Sequence, residues 1–150
     1  MNNVLLKVLD VAKAVVGTSN KNEHALGFFV KHGDGGADLQ PIAHLFKTQV
    51  YQLARYLDVP GEIQARTPST DTYPGGGSQE EFFYRIPFAV LDLIWLGVER
   101  GLPPEQIAAA LEMDTQQVER VVRDIASKKR ATVVLRAPAE TLESASAIPL

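Results

Sequence analysis

Apolar residues recur every three or four positions over most of this chain, which predicts a largely helical protein. Capping residues, glycines and prolines mark the predicted ends. The predicted helices run from an Asn2 or Asn3 cap to about Lys13, from Ser19 or Asn20 to about Gly27, and over residues 46–57, 62–66, 87–100, 103–111 and 114–129.

The short run Ala14-Val15-Val16-Gly17 departs from this helical pattern. Small and apolar residues ending in glycine predict a buried strand of a parallel sheet covered on both faces. A helix begins directly after it, and such a strand–turn–helix unit is where α/β proteins commonly bind nucleotides. One strand cannot make a sheet, so the chain either contains strands that the pattern does not reveal or contributes to a larger sheet. Thr132–Leu135 is predicted to be a terminal strand or an extended arm.

Two loops separate these elements. Residues 31–38 carry three glycines in four positions, and residues 67–78 are rich in Pro, Gly, Ser and Thr. The second loop is long enough to indicate a functional or mobile segment. The pattern therefore predicts one α/β domain over residues 1–135, mostly helical, and a flexible tail over residues 136–150.

Composition narrows the class of protein. The 150 residues carry a net charge of −3, which disfavours a bulk electrostatic nucleic-acid binder, and they include no cysteine, which excludes disulfides and thiolate chemistry. No apolar run approaches the ~20 residues that span a bilayer. Lys7, Asp10 and Lys13 interrupt the apolar residues near Met1, unlike a signal peptide. These features predict a cytoplasmic protein without a membrane or nucleic-acid partner.

A series of sequence motifs follows in fixed order along the chain. The motifs are Val16-Gly17-Thr18-Ser19-Asn20-Lys21-Asn22-Glu23, then residues 27–38 with Lys31-His32-Gly33-Asp34-Gly35-Gly36-Ala37-Asp38, then Lys47-Thr48-Gln49-Val50, Leu53-Ala54-Arg55-Tyr56-Leu57 and Pro68-Ser69-Thr70-Asp71. In this order and spacing the motifs resemble the NAD synthetase family. Residues 79–82 and 118–130 extend the resemblance, which covers roughly residues 14–135. A lone glycine-rich loop is weak evidence of function, whereas many motifs in order are specific.

The resemblance implies a doubly wound, Rossmann-like α/β fold of the adenine-nucleotide α-hydrolase type. It also implies ATP-dependent amidation of deamido-NAD to NAD through an adenylate, with ammonia as the final nucleophile and Mg²⁺ as the metal. Members of the family are homodimers, and the apolar helix over residues 87–100 is a candidate interface. The nitrogen source, free ammonia or glutamine, stays open.

On the ATP side, the resemblance implies that Thr18, Lys47 and Ser69 contact ATP and that Glu23 binds Mg²⁺. Each residue also has a structural explanation. Thr18 has the hydroxyl of a helix cap, Glu23 is a helix carboxylate, and Ser69 lies beside a proline in a turn. Lys47 opens a helix, where the dipole disfavours a cation, so an anionic partner is expected.

On the substrate side, the resemblance implies that Lys31 and Asp38 hold deamido-NAD from either end of the glycine loop. Lys128 and Lys129 match a histidine–lysine pair of the family, and Lys129 is the closer match because lysine replaces the histidine at position 128. Cations at a helix carboxyl end are also favoured by the dipole alone. Asp34 fits either a structural or a binding role.

The family's phosphate-binding loop, of the form Ser-Gly-Gly-x-Asp-Ser, does not occur among these residues. Gly33–Asp38 lacks the serines, and Pro74-Gly75-Gly76-Gly77-Ser78 has no strand before it. The chain alone is therefore expected to be inactive, either as part of a longer enzyme or as a non-catalytic nucleotide-binding or dimerisation module.

Overall fold

The computed structural model describes residues 14–69 and 77–138 of the chain. Its elements are α1 (Lys21–Leu26), α2 (Lys47–Tyr56), α3 (Gly61–Gln64), a π-helix (Glu80–Tyr84), α4 (Phe88–Glu99), α5 (Pro104–Leu111), α6 (Thr115–Ala131) and α7 (Val133–Arg136). The helices predicted over residues 46–57, 87–100, 103–111 and 114–129 are confirmed to within two residues. The predicted helix up to Lys13, most of the second loop and the end of the tail lie outside the described residues.

Helix α1 is a short helix closed at both ends by local chemistry. The side chain of Asn20 accepts a hydrogen bond from the N–H of Glu23, and the Glu23 carboxylate accepts one from the N–H of Asn20. Gly27 ends the helix in the left-handed conformation at φ 76°, and a Cβ there would lie 2.4 Å from the side chain of Thr132. Glycine at this position therefore permits both the turn and the close approach of α6.

The core forms where α4 packs on α5 and α6. Ile94, Trp95 and Val118 are at most 1% exposed. Gly97 of α4 lets α5 approach closely, because a Cβ at this glycine would lie 2.8 Å from the side chain of Ile107. Trp95 and Phe88 belong to this core, as the apolar pattern of their helix predicts.

The predicted strand at Ala14–Gly17 is an extended segment with a parallel bridge from Val16 to Leu39. The N–H of Gly17 donates to the carbonyl of Leu39 at 2.7 Å. The segment around Leu39 is therefore the strand partner that the sequence pattern did not reveal. The expected burial is wrong within the described part of the chain, since Val15 is 57% and Val16 49% exposed. No described element packs over these valines tightly enough to exclude water.

The predicted strand or arm at Thr132–Leu135 is wrong, because these residues open α7. The β-branched run favours a strand, but hydrogen bonds to the end of α6 hold a helical turn. The Thr132 hydroxyl donates to the carbonyl of Lys128, and Arg136 donates to the Thr132 hydroxyl and to the carbonyl of Lys129. Together with the bond that Lys31 donates to the carbonyl of Val134 from a distant part of the chain, these contacts override the local preference.

The π-helix carries an aromatic cluster into the core. Tyr84 is 3% exposed and its ring centroid lies 4.8 Å from that of Phe88. Its hydroxyl has no hydrogen-bond partner among the described residues. Burial, with smaller contributions from the Glu23 and Asp92 carboxylates, raises the pKa of Tyr84 far above its usual range.

Replacing Tyr84 by phenylalanine is expected to raise the free energy of unfolding by about 1 kcal/mol, because it removes a buried hydroxyl without a partner. Urea unfolding followed by circular dichroism measures the change. Tyr56→Phe is the matched control, since Tyr56 is 82% exposed and its hydroxyl is solvated. A loss of stability in Tyr84→Phe would show instead that the hydroxyl has a bound partner.

Candidate functional site

The amino ends of α1 and α2 are joined by buried polar side chains. The side-chain oxygen of Asn22, a residue with no exposed surface, accepts from the N–H of Lys47 at 3.0 Å. Asp92 of α4 accepts from the side-chain amide of Asn22 at 2.6 Å and from the N–H of Thr48 at 2.9 Å. These bonds satisfy the free N–H groups at the start of α2 and fix that end against α1 and α4.

Glu23 and Lys47 face each other across this junction. The Lys47 ammonium lies 3.7 Å from the Glu23 carboxylate, and both side chains are about 15% exposed. The anionic partner expected for Lys47 at a helix start is therefore Glu23 within this chain. A partly buried cation and carboxylate are thus held at fixed positions, and an ATP contact for Lys47 stays a prediction.

Thr18 is exposed and lies one residue beyond the segment that pairs with Leu39. Asn20, and not Thr18 or Ser19, is the cap of α1, so the capping explanation for Thr18 is wrong. Gly17 sits against the returning chain, where a Cβ would lie 2.7 Å from the Cβ of Ala37. The exposed hydroxyl of Thr18 is consequently presented beside the entrance to α1.

The glycine turn is closed by its two aspartates. Asp34 accepts from the N–H of Val30 at 2.7 Å, which favours the structural role for Asp34. Asp38 accepts from the N–H of Val15 at 2.9 Å and remains exposed. The two ends of the turn are thereby fixed, one locally and one against the extended segment.

Lys31 connects the glycine turn to the end of the last described helix. Its ammonium donates to the carbonyl of Val134 at 2.9 Å and to that of Ala137 at 2.7 Å. An ammonium has three N–H donors, so two of them serve the carboxyl end of α7 and one remains. The structure thus brings Lys31 to α7, near the end of α6 that carries Lys128 and Lys129.

Lys128 and Lys129 differ in their surroundings. Lys128 donates to the carbonyl of Phe83 at 2.7 Å and pairs with Asp124, so it ties α6 to the π-helix. Lys129 lies over the ring of Trp95 at 4.3 Å. Burial lowers the pKa of Lys129; the Glu99 carboxylate opposes this shift, and two neighbouring cations add to it.

Lys129 lines an open cavity of about 460 Å³ between α1 and the carboxyl end of α6. Burial and the neighbouring Arg136 lower the pKa of His24, another lining residue. Three basic side chains around one cavity, a lysine and two arginines, favour an anionic ligand. The lining residues of this basic cavity are His24, Ala25, Lys129, Arg130, Val133 and Arg136.

Ser69 lies at the base of the second loop. It forms an antiparallel bridge with Ser78, and its carbonyl accepts from the side chain of Gln79. Burial raises the pKa of Tyr51 in α2, with smaller contributions from Glu80, the residue after Gln79, and from Glu23. The loop base therefore adjoins α2, and a contact between Ser69 and ATP stays a prediction.

Three residues of this region were not predicted as part of the site. Asn22 and Asp92 form its buried support, and Arg136 lines the basic cavity. Asp92 left a signal in the sequence, since it is an isolated acidic residue within the apolar run Phe88–Trp95. No sequence signal indicated Arg136, because its position at the cavity depends on the fold of α7.

The described residues form part of an adenine-nucleotide α-hydrolase fold, which a solved NMN synthetase structure shares. An NMN synthetase from Francisella tularensis is 26% identical with a TM-score of 0.63, over 91% of this chain and 50% of that chain. The family model described as NAD synthase matches residues 6–131, and the chain belongs to this family.

Curated relatives agree with the family assignment. An NH(3)-dependent NAD(+) synthetase from Rhizobium rhizogenes is 52% identical over 79% of this chain. One from Thermococcus kodakarensis is 35% identical over 81% of it. This chain spans 36% of the first relative and 48% of the second.

None of the described helices has the length and hydropathy needed to cross a bilayer. Within residues 14–69 and 77–138, no three His, Asp or Glu side chains are grouped as metal ligands.

Proposed function

We propose that this chain supplies the deamido-NAD side and part of the ATP and magnesium site of an NAD synthetase. The reaction is the ATP-dependent amidation of deamido-NAD in NAD biosynthesis. The observation that carries the proposal is the Glu23–Lys47 pair, held at 3.7 Å where the amino ends of α1 and α2 meet. Both residues stand in family motifs, and the buried Asn22–Asp92 support fixes the backbone around them.

On the ATP side, Lys47 meets a phosphate oxygen, with Thr18 and Ser69 as hydroxyl contacts. The reaction brings a carboxylate to a polyphosphate, so positive charge must be positioned before the two anions meet. Lys47 is suited to this task because its ammonium is about 15% exposed and already oriented by Glu23. A positioned cation of this kind needs little reorganisation when the phosphates bind.

Glu23 fits a magnesium ion that is bound mainly by phosphates. Mg²⁺ in nucleotide sites commonly takes one or two carboxylates together with phosphate oxygens and water. Glu23 provides one such carboxylate, and one of its oxygens faces Lys47 while the other accepts from the N–H of Asn20. When bound, the metal neutralises charge that develops on the phosphates.

On the deamido-NAD side, Lys31, Asp38 and Lys129 are the contact residues. The remaining N–H donor of Lys31 is available to the nicotinate carboxylate or a phosphate, and the exposed Asp38 carboxylate can accept from a ribose hydroxyl. Lys129 brings charge to the basic cavity. Lys128 acts through its bonds to Phe83 and Asp124 as a support of this surface.

The proposed chemistry has two steps. The nicotinate carboxylate attacks the α-phosphorus of ATP, which forms an adenylate and releases pyrophosphate. Ammonia then attacks the activated carbonyl carbon, AMP leaves, and a proton is lost to give the amide. Free ammonia is the proposed nitrogen source because the similar synthetases are named NH(3)-dependent.

A chimera tests the function directly. The segment of the Rhizobium rhizogenes synthetase that matches this chain is replaced by this chain's sequence, and NAD formation is measured with deamido-NAD, ATP, Mg²⁺ and ammonia. Activity of the chimera supports the proposal. A folded but inactive chimera favours the non-catalytic nucleotide-binding or dimerisation module instead. The chain by itself is expected to form no NAD, because no Ser-Gly-Gly-x-Asp-Ser run occurs in it.

In the chimera, Lys31→Ala is expected to lower kcat/KM for deamido-NAD about tenfold, because a charge-assisted bond to the substrate is lost. The KM for ATP is expected to stay unchanged. Arg66→Ala is the control, since Arg66 is exposed and lies outside the site. A thermal melt accompanies each variant because Lys31 also bonds to α7. Unchanged kinetics in Lys31→Ala would remove it from the substrate contacts.

A homodimer is also proposed, with α4 at the interface. Trp95 and Phe88 are buried in the core, whereas Leu93 is 52% and Val98 39% exposed on the same helix. Sedimentation equilibrium of the chain and of Leu93→Glu measures the association. A monomer at all concentrations would exclude α4 as a sufficient interface.

A further inference from the structure

A second cavity, of about 540 Å³, lies between the residues that follow the π-helix and the first turns of α6. It shares no lining residue with the basic cavity, and its volume is in the range of small-molecule sites. Its walls combine apolar side chains with two arginines and an amide. The lining residues are Tyr84, Arg85, Ile86, Pro87, Met113, Gln117, Arg120, Val121 and Asp124.

The charge of this arginine cavity is not balanced from within. Neither Arg85 nor Arg120 forms an ion pair in the part of the chain that the structure describes. Asp124 is the carboxylate that lines the cavity, and it is already paired with Lys128. Among the described residues, neither guanidinium group at this opening therefore has a paired carboxylate.

The neighbouring carboxylates are also engaged. An adjoining crevice shares Arg85, Ile86 and Pro87 with the arginine cavity and is also lined by Glu80 and Glu81. Glu80 accepts from the N–H of Phe88 at 2.6 Å, and Glu81 accepts from the N–H of Ser78 at 3.3 Å. Both carboxylates thus have backbone partners, and neither lines the arginine cavity.

Arg85 also has an unusual backbone conformation. It ends the π-helix at φ 58°, in the left-handed region, where its N–H donates to the carbonyl of Glu80. Left-handed residues other than glycine and π-helical turns are both concentrated at functional sites. Arg85 thus lies at the cavity in a backbone conformation that glycine would adopt with less strain.

We propose that the arginine cavity binds a small organic anion, a carboxylate or a phosphate monoester with an apolar body. Arg85 and Arg120 meet the anionic group, because the guanidinium fork matches both carboxylate and phosphate oxygens. The amide of Gln117 adds a donor, and Ile86, Met113 and Val121 contact the apolar body. This site is separate from the proposed synthetase site and does not depend on it.

The test is calorimetric titration of benzoate and of phenyl phosphate into the chain, with phenol as a probe that has the ring but no charge. At least one anion is expected to bind with a Kd of about 1 mM or lower, and phenol is expected not to bind. The anion that binds more tightly identifies the head group. Saturable binding of neither anion, or equal binding of phenol, would overturn the proposal.

Single-residue variants test whether the anion binds in the arginine cavity. Arg120→Gln is expected to weaken binding about tenfold through loss of a charge-assisted bond. Arg123→Gln is the matched control, since Arg123 lies one turn along α6, pairs with Glu119 and does not line the cavity. Binding that Arg120→Gln leaves unchanged, or that Arg123→Gln weakens equally, would place the anion elsewhere and defeat the proposal.

Arg85→Asn is the second variant, because asparagine tolerates the left-handed conformation and removes only the guanidinium. It is also expected to weaken binding about tenfold. Circular dichroism spectra of all three variants are compared with that of the unchanged chain. Unchanged binding by a folded Arg85→Asn would likewise place the anion outside this cavity and overturn the proposal.

Discussion

Replacing Glu23 by glutamine is expected to lower NAD formation by the chimera about a hundredfold or more while leaving the fold intact. Glutamine retains the side-chain oxygen that accepts from the N–H of Asn20, so the capping box of α1 survives. The substitution removes the negative charge that the proposed magnesium ion requires and that orients Lys47. The variant thus separates the chemical role of Glu23 from its structural role.

Initial rates are measured against Mg²⁺ concentration, together with a thermal melt. The variant is expected to need a higher Mg²⁺ concentration for half-maximal rate, with a melting temperature within a few degrees of the parent. Glu119→Gln is the control, because Glu119 forms an exposed pair with Arg123 on α6. Full activity of Glu23→Gln at the usual Mg²⁺ concentration would show that Glu23 is only a helix cap.

Replacing Asp92 by alanine is expected to lower the free energy of unfolding of the chain by about 3–4 kcal/mol. Asp92 is 4% exposed and accepts from Asn22 and from the N–H of Thr48. Both donors would be left buried and unpaired, at a cost of about 1–3 kcal/mol each. Since domains are stable by about 5–15 kcal/mol, a loss of this size approaches unfolding.

Urea unfolding at pH 7 measures this loss of stability. The variant Asp92→Asn tests how much of the loss depends on the acceptor oxygens. Asparagine keeps one acceptor oxygen, so the loss is expected to be smaller than with alanine. Glu119→Ala provides the comparison with an exposed carboxylate, for which a change of about 0.5 kcal/mol or less is expected. A change below about 1 kcal/mol for Asp92→Ala would mean that the junction of α1, α2 and α4 does not depend on this side chain.

Asp92 and Glu23 have different roles at the junction of α1, α2 and α4. Asp92 and Asn22 hold the amino end of α2 in the protein interior. Glu23 and Lys47 then present opposite charges at the partly exposed edge of the same junction. A rigid buried support beneath a charged surface pair is the arrangement that a preorganised phosphate site requires.

The helices of the core were predictable because their signals are local. Asp114 precedes α6 and caps it, prolines precede α4 and α5, and apolar residues return at helical spacing in each. The same reasoning placed α1 between Asn20 and Gly27. The π-helix was not predicted, because no local sequence pattern distinguishes hydrogen bonds between residues i and i+5 from those of an α-helix.

Resemblance to the family's motifs singled out five candidate site residues: Thr18, Glu23, Lys31, Asp38 and Lys47. They did not reveal the partners of these side chains. Lys47 faces Glu23, Lys31 bonds to the end of α7, and Lys128 bonds to the π-helix. Each of these contacts joins residues at least 24 positions apart, and separations of that size are set by packing.

The sequence by itself thus determined the principal helices, their approximate ends, the glycine turn and the resemblance to the NAD synthetase family, since each rests on neighbouring residues or on motif order. Only the tertiary structure decided that residues 132–136 form a helical turn, that Asp92 supports the site, and which cations remain near cavities. The physical reason is that hydrogen bonds and charges buried between distant segments depend on how the helices pack.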